Sequence, residues 1–207
     1  MKEINMPLTN EEIQAFSMEM ATNLVERFFE IEDAREKQKK VTQFKKILGK
    51  YLFLALKDGF DYNLFEIESG LMTANAGDAA QFLFLSRAMM AGFNCSNVDV
   101  RSSRYDAVID YNNKILRVQV KGVSNEQISF KDRDRGGQGI DPANPRNIGR
   151  RISSEECDIY VAVDKKTGIC YIIPVTYIEE IEGNSKAVSF FSDYRENWNI
   201  IRTIAGQ

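Results

Sequence analysis

The sequence predicts an α/β or α+β fold with a mixed β-sheet. Three observations carry this expectation. Apolar residues recur at helical spacing through three stretches before Gly92. Short runs rich in β-branched and aromatic residues follow, at 97–101, 105–111, 114–122, 127–131, 158–163 and 169–173. Turn residues separate these runs, most tightly at Asn112-Asn113 and at Asp164-Lys165-Lys166-Thr167-Gly168. At 207 residues and 43% apolar content, the chain suits one ordinary core with a small appendage. No apolar run approaches the ~20 residues that cross a bilayer. The first seven residues lack the apolar stretch of a signal peptide, so a cytoplasmic protein is expected.

The elements follow in order. Residues 1–8 read as a loose lead-in. Thr9-Asn10-Glu11-Glu12 fits a capping box, with Thr9 as N-cap and Glu12 three positions on. Ile13, Phe16, Met20, Leu24, Phe28 and Ile31 then predict a helix over 10–31, whose polar positions are acid-rich. A second helix is expected over 34–57. Arg35, Lys37, Lys39, Lys40, Lys45, Lys46 and Lys50 make it basic, and Gly59 follows as a stop. The opposite charges of this pair either face each other and solvent, or the lysines contact phosphates. Residues 59–73 read as a connection with strand character at 62–67, punctuated by Ser69-Gly70. A third helix is expected over 74–91, capped by Thr73 or Asn75 and stopped by Gly92. Asp78 and Gln81, three apart, share one face of it.

A turn at Ser102-Ser103 leads into the stretch that organises the chain, residues 105–122. Asn112 and Asn113 tolerate positive φ, which suits a tight hairpin. Asp106 and Asp110 lie on its first strand, Gln119 and Lys121 on its second. Side chains alternate along a strand, so Gln119 and Lys121 share a face that Val118 and Val120 do not. If Asp106 points the same way, a carboxylate, an amide oxygen and an ammonium converge. That inventory suits a hard divalent cation with a water beside it. Asp110 reads as a polar residue near the turn. Residues 132–150, rich in Gly, Pro, Asp, Asn and Arg, predict a long surface loop. The second hairpin, closed by Pro174, leads to a short helix at 175–181. The tail at 187–207 brings Phe190, Phe191, Tyr194 and Trp198 to pack over the sheet.

The chain has no histidine. This removes Ser-His-Asp and Cys-His catalysis and His-based zinc sites. Hydrolysis would therefore need carboxylates, Lys, Tyr or a metal. Cys95, Cys157 and Cys170 are odd in number and widely spaced, which argues against a disulfide framework or zinc site and for buried apolar roles. The net charge of −3 gives no global case for nucleic acid, so any such case rests on local patches.

Residues 75–175 resemble the PD-(D/E)xK nuclease superfamily, in its intron homing endonuclease and restriction-like branch. The resemblance rests on Gly77-Asp78-Ala79-Ala80-Gln81, Gly92-Phe93-Asn94, Tyr105-Asp106-Ala107-Val108 and Val118-Gln119-Val120-Lys121-Gly122. Asp158-Ile159-Tyr160 and Tyr171-Ile172-Ile173-Pro174 fit its later strands more loosely. It implies a restriction-endonuclease-like core over 71–207, a mixed sheet flanked by helices, with a helical N-terminal extension over 1–70. It implies an Mg²⁺-dependent endonuclease, with Mn²⁺ as alternative, acting on double-stranded DNA as a homodimer or higher homo-oligomer. Asp106 would be the main metal ligand and Gln119 a neutral one, in a Gln-x-Lys variant of the motif. Lys121 would orient the attacking water, and Asp78 or Gln81 would complete the shell. The branch usually carries a Glu where this chain has Gln81. Arg133, Arg135, Arg146, Arg150 and Arg151 are candidate DNA contacts. A structure-specific nuclease such as a junction resolvase, or a catalytically silent DNA-binding module, remain alternatives.

Overall fold

The computed structural model describes residues 9–56, 59, 69–99, 103–123, 125–132 and 149–206. It divides into two compact units, Met1–Tyr62 and Asn63–Gln207.

The first unit is an antiparallel helical hairpin of α1 (Asn10–Phe28) and α2 (Ala34–Leu56). Thr9 caps α1 as expected. Its hydroxyl accepts the Glu12 N–H at 3.2 Å, and the Glu12 carboxylate accepts the Thr9 N–H at 2.7 Å. α1 ends before the expected residue 31, because Phe29 is already extended and its ring turns onto Phe44, with the Lys40 ammonium over it. Ala21, Val25 and Val41 are buried between the helices, with Ile31, Phe44 and Leu48 against them. Gly49 permits a close approach: a β-carbon there would stand 3.4 Å from the Ser17 hydroxyl.

The second unit begins with α3 (Ser69–Met90). The expected strand at 62–67 lies outside the described residues. Ser69-Gly70 is helical rather than punctuation, and Thr73 and Asn75 sit inside α3, so neither caps it. Leu71, Met72, Ala74 and Ala76 carry the helix through these weaker formers. The expected boundary at residue 70 therefore falls within a helix. The end of α3 matches expectation. Gly92 takes φ +90°, its N–H reaches Met89 O at 3.0 Å, and the Phe93 N–H reaches Ala88 O at 3.1 Å. These two bonds form a Schellman cap.

Among the described residues nine strands follow. They are β1 (Asn94–Asn97), β2 (Ala107–Tyr111), β3 (Lys114–Gly122), β4 (Gln127–Ser129), β5 (Lys131–Asp132), β6 (Arg150–Arg151), β7 (Ile159–Val163), β8 (Cys170–Pro174) and β9 (Ser185–Ala187). The main sheet runs β1-β2-β3-β7-β8, antiparallel except for the parallel pair β3–β7. It is the mixed sheet that the sequence predicts. β1 starts earlier than the expected 97–101, because the Gly92 turn feeds Asn94 directly into register with Asp110. Asn112 and Asn113 both have positive φ, 52° and 59°, and close the β2–β3 hairpin as a type I′ turn. The expected strand at 127–131 is split: β4 pairs with β9, and β5 with β6, in two small ladders.

The period-2 alternation divides the core into two layers. Val118, Val120, Ile159, Val161 and Ile172 meet Ala80, Phe84 and Ala88 of α3, with Ile201 and Ala205 of α5 (Asn199–Gly206). Tyr160, Ala162 and Ile173 meet Ile128, Phe130, Phe191 and the buried side of α4 (Val175–Glu180). The tail packs as expected: Trp198 stacks on Phe84 at 6.4 Å, and Phe191 stands edge-on to Phe130 at 6.0 Å. No helix among the described residues is long and apolar enough to cross a membrane.

Candidate active site

The candidate site lies where β2 stops and β3 runs on. Ala107, the first residue of β2, pairs with Val118, and β3 continues to Gly122. The Asp106 N–H completes that pairing on Val118 O at 2.8 Å. Beyond it, the Asp106 carboxylate takes over from a backbone carbonyl. Its Oδ2 accepts the Val120 N–H at 2.9 Å and the Gln119 Nε2 at 2.5 Å. From α3, Gln81 reaches down. Its Nε2 donates to Asp106 O at 2.6 Å and also to Oδ1 of Asn97, the last residue of β1.

Among the described residues the buried polar or charged side chains are Ser17, in the first unit, and these three: Gln81, Asp106 and Gln119. At 8%, 6% and 4% exposure they are as covered as much of the core. Buried polar groups persist when they bond one another. Here a helix, a strand entry and a strand interior, far apart in sequence, supply one connected set. Lys121 is half-buried, two residues beyond Gln119 and therefore on the same face of β3. Asp78 is exposed, one turn before Gln81, and Asp110 is exposed, opposite Ile115 near the hairpin turn.

Among the described residues no group of three or more His, Cys, Asp or Glu side chains comes together. A cation here would meet the Asp106 carboxylate, with amide oxygens beside it. Since the Gln119 and Gln81 amide nitrogens face acceptors, their carbonyl oxygens are the atoms that could meet it. An all-oxygen set that includes a carboxylate fits a hard dication that keeps several waters and takes substrate phosphate as further ligand.

The arginines fall into three groups. Arg133, Arg135 and Arg146 lie outside the described residues. Arg150 is exposed and pairs with Glu156, which also takes Arg104 Nε at 3.1 Å. Arg151 donates to the carbonyls of Ile178, Ile181 and Gly183 around the end of α4, and its guanidinium lies over the Phe130 ring. Its visible work is to fasten that helix end.

Several participants are not in the sequence reading. Asn97 enters the set only through the β1 register, which no local motif marks. The Val120 N–H is backbone. Arg117 grips Asp158 at the start of β7 through Nη2–Oδ1 at 2.8 Å and Nε–Oδ2 at 3.2 Å. That carboxylate pushes the Arg117 pKa upward and ties β3 to β7 beside the site. Burial pushes the Cys157 thiol up to about 12, in keeping with the apolar role expected of it.

No family model matches the chain, and no curated protein sequence does. Among solved structures it is similar to the bacterial homing endonuclease I-Ssp6803I, at 23% identity and TM-score 0.51. The match covers 65% of this chain and 97% of that one, and the second unit alone is long enough to carry it. The chain thus shares the fold of that protein: a five-stranded mixed sheet flanked by helices.

Proposed function

We propose that this chain is a metal-dependent DNA endonuclease that hydrolyses phosphodiester bonds, site-specific in the restriction or homing manner. One observation carries the reading: Gln81, Asp106 and Gln119 are buried together where β2 ends beside β3, with Lys121 next on the same strand face, in a fold shared with a homing endonuclease. Double-stranded DNA is the partner, and cutting both strands calls for two copies of the site.

In this reading Asp106 and the amide oxygen of Gln119 hold Mg²⁺ or Mn²⁺, with Gln81 or Asp78 completing the shell. The ion supplies acidity to a bound water and stabilises the leaving oxygen. The rest is the work of the chain. The Val120 N–H and the Gln119 amide fix the orientation of the Asp106 carboxylate. Gln81 ties the Asp106 main chain to Asn97, so that α3 and β1 brace it. Lys121 sets a positive charge where the phosphate and the attacking water meet. Arg133, Arg135, Arg146 and Arg150 offer contacts to phosphates and base edges; Arg151 joins them only if its guanidinium leaves the α4 carbonyls.

A specific observation favours one other reading. Positions 81 and 119 beside Asp106 are neutral amides, and the Asp106 Oδ2 already accepts two hydrogen bonds. A silent DNA-binding module on this fold would look the same. Incubation of plasmid and branched DNA with the protein and Mg²⁺ separates the two. Cleavage by wild type, lost in Lys121→Ala and on chelation, is the expected result. Duplex binding without cleavage supports the silent module, and a strong preference for branched DNA supports a structure-specific nuclease.

A further inference from the structure

The helical hairpin leaves large apolar side chains outside its own interface. Phe16 and Met20 of α1 are 49% and 38% exposed, and Ile47 and Tyr51 of α2 are 42% and 57% exposed. Their positions follow from helix geometry at 3.6 residues per turn. Gly49 meets Ser17 and Gln14 on one flank of the hairpin. Phe16 and Met20 lie on the other side of α1 from Gln14, and Ile47 and Tyr51 on the other side of α2 from Gly49. All four therefore share the opposite flank. The helices are antiparallel, with Ser17 beside Gly49 and Glu26 paired with Lys37 at 3.2 Å. Phe16 is then level with Tyr51, and Met20 with Ile47. The patch has charged margins of opposite sign. Glu19 and Glu26 border it along α1, and Lys39 and Lys50 border it along α2, all four exposed.

We propose that a second copy of this chain covers the patch with its own, forming a four-helix bundle. A two-fold interface must be self-complementary. A surface with an acidic margin and a basic margin meets that demand in one orientation. A two-fold axis parallel to the helices lays α1 over the partner's α2, so that Glu19 meets the partner's Lys50 and Glu26 the partner's Lys39. An axis across the helices would set acid over acid. The two-fold along the helices also makes each α1 antiparallel to the helix it covers, the usual bundle arrangement. The inference does not rest on the nuclease reading, since it uses only the first unit.

The test is sedimentation velocity on the full chain. Wild type is expected to dimerise at micromolar concentration, and Ile47→Glu with Tyr51→Glu to weaken the dimer by about tenfold or more. A charge exchange fixes the geometry. Glu19→Lys with Glu26→Lys, and Lys39→Glu with Lys50→Glu, should each weaken self-association, and an equimolar mixture of the two should restore a heterodimer. Circular dichroism checks that each variant keeps its helices, and the mixing result stands even if the apolar variant misfolds. A wild type that stays monomeric overturns the proposal. So do self-association unchanged in either charge variant, a mixture that fails to pair, and assembly that appears only with duplex DNA, which would assign the lysines to phosphate instead.

Discussion

Replacing Asp106 by Asn and by Ala separates what the carboxylate does for the fold from what it does for chemistry. In the structure Oδ2 takes two donors, the Val120 N–H at 2.9 Å and the Gln119 amide at 2.5 Å. Ala removes the one oxygen that accepts both bonds, inside a site where Asp106 is 6% exposed. Each buried donor left without a partner costs about 1–3 kcal/mol. The Gln119 side chain can turn toward another acceptor, and losing a buried carboxylate recovers some solvation. The expected loss for Asp106→Ala is therefore ~2–3 kcal/mol, mostly from the fixed Val120 N–H. Asn keeps a carbonyl oxygen at the same place, so Asp106→Asn should stay within about 1 kcal/mol of wild type. Its neutral amide is a much poorer ligand for a hard cation, and cleavage should fall by about a hundredfold or more. Urea unfolding followed by tryptophan fluorescence reads stability, since the one tryptophan, Trp198, stacks on Phe84. Plasmid nicking in Mg²⁺ reads activity. Wild-type stability in Asp106→Ala would refute the structural argument, and wild-type cleavage by Asp106→Asn would refute the catalytic one.

Three further expectations follow from the same geometry. Gln81→Glu should destabilise by about 2–4 kcal/mol, because an ionised Glu cannot donate to Asp106 O and Asn97 Oδ1, and added Mg²⁺ should recover part of the loss if a cation sits there; thermal shift with and without Mg²⁺ checks both. Arg151→Ala should cost about 2–3 kcal/mol by urea unfolding, and Lys should not rescue it, since one ammonium cannot span three carbonyls and cover the Phe130 ring. Burial lifts Cys157 and Cys170 to about 12, above their ordinary value of 9, so their stabilising contribution is full below pH 9 and fades as pH climbs toward 12. Native protein at pH 8 should accordingly react with a thiol reagent at Cys95 well before the other two, and equal rates at all three would contradict their burial.

The parts that were legible in the sequence are those fixed by local chemistry. Thr9 and Glu12 form their capping box, Gly92 ends α3, and Asn112-Asn113 makes a type I′ turn, because each depends on a few adjacent residues. The alternation in β3 correctly assigns Gln119 and Lys121 to one face, since period 2 is a property of any strand. The misses depend on distant partners. The start of α3 was hidden by Ser69-Gly70, weak helix formers that good ones carry along. β1 was displaced because its limits come from pairing with β2. The division of 127–132 between two ladders depends on β9 and β6, which no local signal announces. Asn97 was invisible for the same reason: its side chain matters only once β1 lies beside β2 and Gln81 comes down from α3.

The neutral residue at position 81 is explained by what surrounds it. Sequence comparison with acid-bearing sites makes Gln81 look like a lost ligand. The structure gives it a task that an acid could not do. Its Nε2 donates to a main-chain carbonyl and to a side-chain carbonyl at once, both on segments that must stay beside Asp106. A carboxylate at the same place would set like partial charges together in a nearly dry site, where such contacts are most costly. Gln119 follows the same logic, since it donates to the very carboxylate beside it and an acid there would repel Asp106 unless a cation lay between. The two amides therefore help hold the buried Asp106 in one orientation, Gln119 at its carboxylate and Gln81 at its main-chain carbonyl. Hydrogen bonds from the Val120 N–H, Gln119 and Gln81 thus set the geometry around Asp106.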